Sequence, residues 1–251
     1  RWPTIGLVPE HVEEANLDEV KDFYYRYYRP NNAVLVIAGN CSLEQVKHLT
    51  EKWFGEIPKG EISKRAVPQE PQQTEFRRAV KEADVPVDGI YMAFHIPNRL
   101  SSEYYAIDLL SDILCNGQSS RLYRKLVKNE EIFSEIDCYI TGTIDPGLFI
   151  VEGKPADDVS LEVAERAIWT ELELLKNKKI PKTELQKIKN KAESTLVFSE
   201  LNVLTKAINL AFFELLGDTD LINRESKLLK WVGTMTTVPI LANARIRSMG
   251  P

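Results

Sequence analysis

The sequence has few cysteines, and their arrangement excludes two kinds of site. Its 251 residues include three cysteines, Cys41, Cys115 and Cys138. An odd number of cysteines without Cys-x-x-Cys spacing supplies neither a disulfide framework nor a thiolate zinc site. Because so few cysteines suit both reducing and oxidising compartments, the cysteine content leaves the compartment open.

Histidine is equally scarce, and the three histidines are far apart in sequence. His11 precedes two glutamates in a predicted loop, His48 belongs to a predicted helix, and His95 alternates within a predicted strand. None lies in an H-x-x-E-H helix, and the sequence also lacks G-x-S-x-G, Walker and G-x-G-x-x-G patterns. We therefore predict no metal ligand, no catalytic residue and no cofactor-binding residue within these 251 residues. The predicted roles are solvated for His11, exposed for His48, and core or sheet edge for His95.

The chain also lacks a concentrated basic surface and a long apolar run. Its formal net charge is −5, and its one lysine-rich stretch, residues 176–191, contains Glu184 and is flanked by Glu171, Glu173 and Glu193. This balance argues against a nucleic-acid partner, because phosphate binding requires clustered cations. No apolar run approaches the roughly 20 residues that span a bilayer, and no signal segment is present. Since the first residue is Arg1 rather than methionine, we expect the chain to be a piece of a longer polypeptide.

The most informative stretch runs from Tyr104 to Ser134, YYAIDLLSDILCNGQSSRLYRKLVKNEEIFS. Its apolar residues recur every three or four positions, which predicts an amphipathic helix that packs on a sheet. Gly117 ends that helix. Either Ser119 or Ser120 can cap the next one, because a serine oxygen accepts hydrogen bonds from free N–H groups of the first helical turn.

The remaining elements are predicted from periodicity, caps and breakers. Helices are expected after Asn16, after Ser42 as far as Phe54, and over residues 159–177 and 183–216. Strands are expected at residues 33–38, 76–82, 89–96, 136–144 and 148–153. Residues 55–74 contain three prolines and two glycines and are expected to form a surface linker. The pattern indicates an α+β fold with a sheet of about four strands and with helices on one side.

Two segments resemble one protein family. The order YMAFHIP, helix, NGQSSRLYRKLV, strand, DPGLFIVEGKP resembles the distal half of a domain of the insulinase-like (M16) zinc metallopeptidases. The upstream string WPTIG…YYRPNNAVLVIAGNCSLEQVKHLTEKWFG resembles the part of the same family that follows its zinc site. The family includes mitochondrial processing peptidase and non-catalytic relatives. Together the matches cover about residues 2–225, and the resemblance implies an antiparallel-rich, ferredoxin-like-derived fold.

The resemblance also implies a division of the chain. Residues 1–66 would form an incomplete first subdomain of helix, strand and helix, whose sheet neighbours precede Arg1 in the family. Residues 67–232 would form a complete second M16-like subdomain. The tail 233–251, GTMTTVPILANARIRSMGP, fits neither the family pattern nor a clear period and stays unassigned.

Both catalytic groups that the family uses are missing from the matching positions. The H-x-x-E-H zinc helix has no counterpart. The partner half of the family's chamber carries an arginine followed seven positions later by a tyrosine, in a pattern resembling LRxxxxLxY. Here Val127 stands at the arginine position and Ser134 at the tyrosine position. Neither side chain can donate the hydrogen bonds of an oxyanion hole at that reach.

The resemblance therefore implies a metal-free portion of an M16-like zinc metallopeptidase. It would form chamber wall and the interface with a second M16-like half, on the same chain or another subunit. Zinc would be bound, and peptide substrate hydrolysed, by residues of the full-length parent outside this chain, and resemblance alone suggests a bacterial periplasm or envelope. The alternatives are a scaffold or interaction module of a proteolytically inactive M16-like protein, and an unrelated ferredoxin-like binding domain.

Overall fold

The computed structural model describes residues 7–61, 68, 71 and 73–232. The residue contacts divide the chain into two units, Arg1–Pro71 with Val203–Thr219, and Gln72–Asn202 with Asp220–Pro251. The subdomain boundaries predicted near residues 66 and 232 stay a prediction. The predictions for the string WPTIG and for the tail 233–251 lie outside the described residues.

The regular elements in the described residues of the first unit are helices, and two of them begin at a capping side chain. Helix α1 spans Glu10–Glu13, α2 spans Leu17–Tyr27, α3 spans Leu43–Phe54 and α7 spans Val203–Leu216. Asn16 caps α2 by accepting a hydrogen bond from the N–H of Glu19 at 2.9 Å. Ser42 and Gln45 form a reciprocal capping box at the start of α3. A short 3₁₀ turn, Pro30–Asn32, follows α2.

Residues 33–38 of this unit, predicted as a strand whose sheet neighbours precede Arg1, form no paired strand in the described part of the chain. The backbone is extended at Ala33 (φ −133°, ψ 148°), but the segment pairs with no strand in the described part of the chain. Leu35 and Ile37 are exposed. An apolar, β-branched composition favours extended backbone, but a strand forms only when another strand accepts its hydrogen bonds.

The second unit contains a sheet with helices packed on one side. Its strands are β1 (Ile90–Ile96), β2 (Phe133–Ile140) and β3 (Gly147–Pro155), and they are antiparallel in the order β1-β3-β2. Its helices are α4 (Ser102–Cys115), a π-helix (Tyr123–Asn129), α5 (Leu161–Asn177), α6 (Lys182–Ser199) and α8 (Leu221–Trp231). This confirms the predicted α+β class, but the described residues contain three strands rather than about four, because residues 76–82 pair with none.

Two further boundaries differ from the prediction. The single helix expected over residues 183–216 is broken into α6 and α7 at residues 200–202. Ser199 donates its hydroxyl hydrogen to the carbonyl oxygen of Leu196 at 2.8 Å, and such back-bonding by serine weakens helix continuation. Strand β2 begins at Phe133 and ends at Ile140, whereas residues 136–144 were expected.

Helix α4 lies at the centre of the second unit because both of its faces are apolar. One face, with Ile107, Leu110 and Leu114, packs against the sheet and α5, where Ile168 and Leu172 are fully buried. The opposite face packs against α6 and α8 through a cluster of buried side chains: Tyr105, Leu109, Ile113, Ile188 and Leu229. Burial of these side chains, at about 25 cal/mol per Å² of apolar surface, supplies the main stabilisation of the unit.

A buried polar cluster fastens α8 to α4. The guanidinium of Arg99 forms an ion pair with Glu225 of α8 and donates a hydrogen bond to the hydroxyl of Tyr105 at 2.9 Å. It also lies over the rings of Tyr104 and Tyr105, 4.6 and 5.0 Å from their centroids. Burial raises the pKa of Tyr104 to about 12, so its hydroxyl stays protonated at neutral pH.

The same cluster makes stability depend on pH through Asp108. Burial, followed by the nearby carboxylate of Asp112, raises the pKa of Asp108 from 3.8 to about 6. The folded chain therefore binds more protons than the unfolded chain between about pH 4 and 6, and stability falls as pH rises through this window.

We expect Asp108→Asn to raise the free energy of unfolding by about 1–2 kcal/mol at pH 7.5, and to have little effect at pH 4. Urea unfolding at both pH values measures this. The prediction would be contradicted if Asp108→Asn changed the free energy of unfolding equally at the two pH values. It would also be contradicted if Asp88→Asn, at an exposed position, raised the free energy of unfolding by the same amount at pH 7.5.

Candidate functional site

The face of the sheet that points away from α4 and α5 is the candidate functional site. Along each strand, buried residues alternate with residues on this face, which are exposed or half-buried. We call this surface the open sheet face. Its side chains are Tyr91, Ala93, His95, Glu135, Asp137, Tyr139, Leu148, Ile150, Glu152 and Lys154.

The strand register arranges these side chains in rows across the sheet. One row places Tyr91, Glu152 and Asp137 side by side on β1, β3 and β2. The next row consists of Ala93, Ile150 and Tyr139, in the same strand order. The open sheet face therefore combines an acidic row flanked by a tyrosine with an apolar row.

A further row holds His95 of β1 opposite Leu148 of β3. In the described part of the sheet β1 is an edge strand, and His95 is exposed, so of the two predicted positions, core or edge, His95 lies at the edge. Leu148 extends the apolar part of the open sheet face beyond Ile150. A neutral imidazole at this position can donate and accept hydrogen bonds.

Hydrogen bonds fix several of these side chains. Tyr139 donates its hydroxyl hydrogen to Oε2 of Glu152 at 3.2 Å, and Lys154 pairs with Glu135 at 2.6 Å between Nζ and Oε2. Partial burial and the hydrogen bond to Glu152 raise the pKa of Tyr139. The tyrosine hydroxyl is therefore protonated at neutral pH and acts as a donor.

The positions that match the family's arginine and tyrosine serve other purposes here. Val127 lies in the π-helix, is half-buried and packs against the core between the sheet and α4. Ser134 lies at an irregularity in the pairing of β2 with β3, and its hydroxyl donates to the carbonyl oxygen of Lys154 at 3.1 Å. An apolar side chain directed into the core and a hydroxyl bound to backbone cannot form an oxyanion hole.

The SSRL string attaches the π-helix to α6. Arg121 binds Glu184 through two hydrogen bonds of 2.8 and 2.6 Å, and this contact lowers the pKa of Glu184. Ser119 accepts a hydrogen bond from Lys187, and the buried hydroxyl of Ser120 has no hydrogen-bond partner in the structure. The prediction that the side-chain oxygen of either serine caps the helix was therefore wrong. The hydroxyl of Ser119 bonds to Lys187 of α6, and Ser120 contacts the next turn through its carbonyl oxygen, which accepts from the N–H of Arg124 at 3.0 Å, and not through its hydroxyl.

The remaining histidines are not brought into a metal site. His11 lies in the short helix α1 rather than in the predicted loop, and its Nδ1 accepts a hydrogen bond from the N–H of Leu7 at 3.3 Å. His48 is exposed on α3. Within the part of the chain that the structure describes, no three histidine, cysteine or carboxylate side chains are grouped so that they could hold a metal ion.

The sequence pattern drew attention to His95 of the open sheet face but not to the acidic and aromatic residues of that face, Asp137, Glu152 and Tyr139. The alternation in residues 147–155 and 133–140 could have shown that Glu152, Asp137 and Tyr139 point away from the core. What alternation does not give is the register, which decides that Asp137 faces Glu152 rather than Lys154.

No single helix among the described residues has both the length and the apolar composition that crossing a bilayer requires. In that part of the chain, α6 and α7 meet the criteria of length and composition when they are taken together across the break between them.

Comparison with known proteins agrees with this architecture. The zinc protease PqqE of Helicobacter pylori is 29% identical over 195 residues, which are 75% of this chain and 43% of that protein. The β subunit of the mitochondrial-processing peptidase of Caenorhabditis elegans is 24% identical over 64% of this chain and 37% of its own length. The chain thus spans less than half the length of these curated relatives.

A solved structure shows the same fold. The crystal structure of a protease from Helicobacter pylori superimposes with a TM-score of 0.81 at 23% identity, over 94% of this chain and 57% of that one. Residues 14–192 match the family model described as the Peptidase M16 inactive domain. These residues make up most of the chain, and they include α2, α3 and every strand of the sheet. The chain therefore belongs to the family of Peptidase M16 inactive domains.

Proposed function

We propose that this chain forms a non-catalytic wall of the peptide-holding chamber of an M16 zinc protease. The open sheet face would contact the peptide, and the helical side would support the sheet. Hydrolysis would be carried out by zinc ligands and a catalytic base outside these 251 residues, with zinc-bound water as the nucleophile.

The observation that carries the proposal is the asymmetry of the sheet. One face is buried under α4 and α5, whereas on the other face Ile150 and Leu148 are half-buried and Tyr91 and Tyr139 are exposed. A sheet face whose apolar and aromatic side chains are left uncovered by the described helices of the same unit is typical of a surface that receives a ligand. Membership of a family whose relatives include zinc proteases points to a peptide as that ligand.

The proposed partner is a second M16-like half. The relatives are more than twice as long as the segment that this chain matches, so they hold a further part of comparable size. Enclosing a peptide between two halves would exclude bulk water from the site of hydrolysis. The second half would lie either on the same polypeptide or on another subunit.

The test measures zinc content and peptidase activity on two samples, the 251-residue chain and the full-length gene product. We expect neither property in the chain alone, because its described residues provide no metal-binding group. The full-length product is expected to bind zinc and to cleave an unstructured peptide, with activity lost after chelation and restored by zinc.

Two results would contradict the proposal in different ways. Stoichiometric zinc on the 251-residue chain would show that it holds a metal site. A full-length product without zinc and without activity would favour the alternative, a scaffold or interaction module descended from the peptidase.

A further inference from the structure

We propose that the Asn116-Gly117 pair is a site of spontaneous deamidation, at which Lys191 of α6 promotes attack on the Asn116 side chain. The product carries aspartate or isoaspartate at residue 116, so the chain gains a negative charge at the turn that follows α4. This inference is independent of the proposed function, because it concerns the covalent structure of the chain itself.

The first argument is the sequence of this turn. Among the asparagines of the chain, Asn116 is the one that glycine follows. Deamidation requires the backbone nitrogen of the next residue to reach the side-chain carbonyl carbon of the asparagine. Glycine has no side chain that obstructs this approach, so ring closure is least hindered in the pair Asn-Gly.

The second argument is the backbone of the turn. Asn116 ends α4 with φ −76° and ψ 93°, outside the helical range, and Gly117 has φ 91°. Both residues are exposed, so water reaches them. The N–H of Gly117 donates to no acceptor among the described residues, whereas an N–H within a helix is held by the carbonyl oxygen four residues earlier. The attacking nitrogen is therefore available.

The third argument is the pair of charged groups that hold the Asn116 amide. Its Oδ1 accepts a hydrogen bond from Nζ of Lys191 at 2.6 Å, and its Nδ2 donates to Oδ1 of Asp112. Because an ammonium group only donates and a carboxylate only accepts, these contacts fix the orientation of the amide. The ammonium therefore lies at the oxygen on which negative charge develops during attack, and it stabilises that charge.

The reaction needs no partner other than water. The backbone nitrogen of Gly117 forms a bond with Cγ of Asn116, and the bond between Cγ and Nδ2 breaks. Nδ2 leaves as ammonia with the hydrogen that Gly117 gives up, and Asp112 lies beside the leaving nitrogen, where its carboxylate can relay this proton. Water then opens the resulting succinimide at either carbonyl carbon, which gives aspartate or isoaspartate.

The test incubates the folded 251-residue chain at neutral pH and follows each asparagine by peptide mass mapping. Deamidation adds about 1 Da to the peptide that contains residue 116. Asn190 is the internal control, because it is also exposed and also hydrogen-bonded, to Gln186 at 2.7 Å, but lies within α6. We expect Asn116 to deamidate at least about tenfold faster than Asn190, since the N–H after a helical asparagine is held in the helix.

The decisive variant is Lys191→Met, which keeps most of the side-chain volume and removes the ammonium group. Asn116 should deamidate about fivefold more slowly in this variant, a modest factor because the ammonium acts at an exposed site. Lys191→Arg keeps a charged donor and should retain most of the rate. The matched control is Lys187→Met, which removes the same charge from α6, where Lys187 binds the hydroxyl of Ser119. It should change the rate by less than about twofold.

Incubation in urea separates the effect of the fold from that of the sequence. Unfolding breaks the contact between Lys191 and Asn116, so the unmodified chain and Lys191→Met should deamidate at equal rates in urea. A difference that persists there would overturn the role of Lys191, as would equal rates of the two folded chains, whose folding circular dichroism verifies. Deamidation of Asn116 no faster than that of Asn190 would overturn the site itself. None of these results bears on the proposed chamber wall.

Discussion

Replacement of Glu225 by alanine is expected to lower the free energy of unfolding by about 3–5 kcal/mol, which is the usual cost of leaving one member of a buried ion pair without its partner. The side chains of Arg99 and Glu225 are only 12% and 11% exposed. The guanidinium of Arg99, which lies over the rings of Tyr104 and Tyr105, would lose its ion pair with Glu225 while it stays largely buried. Urea unfolding followed by circular dichroism measures the change.

The control for this prediction is an ion pair at the surface of the same unit. Lys230 and Glu193 lie 2.6 Å apart between Nζ and Oε1, with side chains 59% and 38% exposed. Glu193→Ala should therefore cost less than about 1 kcal/mol. A third variant, Arg99→Met with Glu225→Leu, should recover most of the lost stability, because it removes both charges and refills the space. A loss for Glu225→Ala no larger than that for Glu193→Ala would show that the buried pair does not fasten α8.

The ion pair also shows why only part of this fold can be predicted from the sequence. Helices α2, α4 and α5 follow from local information, because their caps and apolar periodicity lie within the same 12–18 residues. The contact between Arg99 and Glu225 joins residues 126 positions apart. No local pattern distinguishes these two charges from the many exposed arginines and glutamates of the chain.

The strands illustrate the same limit. Residues 89–96 and 148–153 were predicted correctly, because each has a pairing partner in the described chain. Residues 33–38 have an equally apolar composition, yet they pair with no strand there. Apolar composition indicates that a segment can be extended, whereas strand formation depends on a neighbour that the composition does not specify.

The candidate site depends on pairing still more directly. Its chemistry arises from side chains on three strands that become neighbours only through the register. A shift of one residue in β2 would place Cys138 rather than Asp137 opposite Glu152 and turn the acidic residue toward the core. The acidic and apolar rows could therefore not be predicted from motifs or from alternation alone.

The second large effect is expected from a single added methyl group. Gly153 lies in the central strand β3, paired with Ile90 of β1 on one side and Ile136 of β2 on the other. A Cβ atom at this position would lie 2.6 Å from Cε1 and 2.7 Å from Cδ1 of the Phe133 ring. That ring is 2% exposed, so the surrounding core restricts its movement, and pairing on both sides holds the strand. We expect Gly153→Ala to lower the free energy of unfolding by about 3 kcal/mol.

Gly89 provides the matched control, because it precedes the same sheet at β1 and a Cβ there would meet its nearest atom, Cε2 of Tyr91, at 3.5 Å. Gly89→Ala should change the free energy of unfolding by less than about 1 kcal/mol. A change in the stabilising direction would come from the lower conformational entropy of the unfolded chain when alanine replaces glycine. Shortening the obstructing ring tests the cause. In a chain that carries Phe133→Leu, Gly153→Ala should lower the free energy of unfolding clearly less than it does alone. Chemical denaturation of the unmodified chain, the two single variants and the double variant measures this coupling. If the two substitutions were instead additive, the loss at Gly153 would come from the strand backbone and not from contact with Phe133.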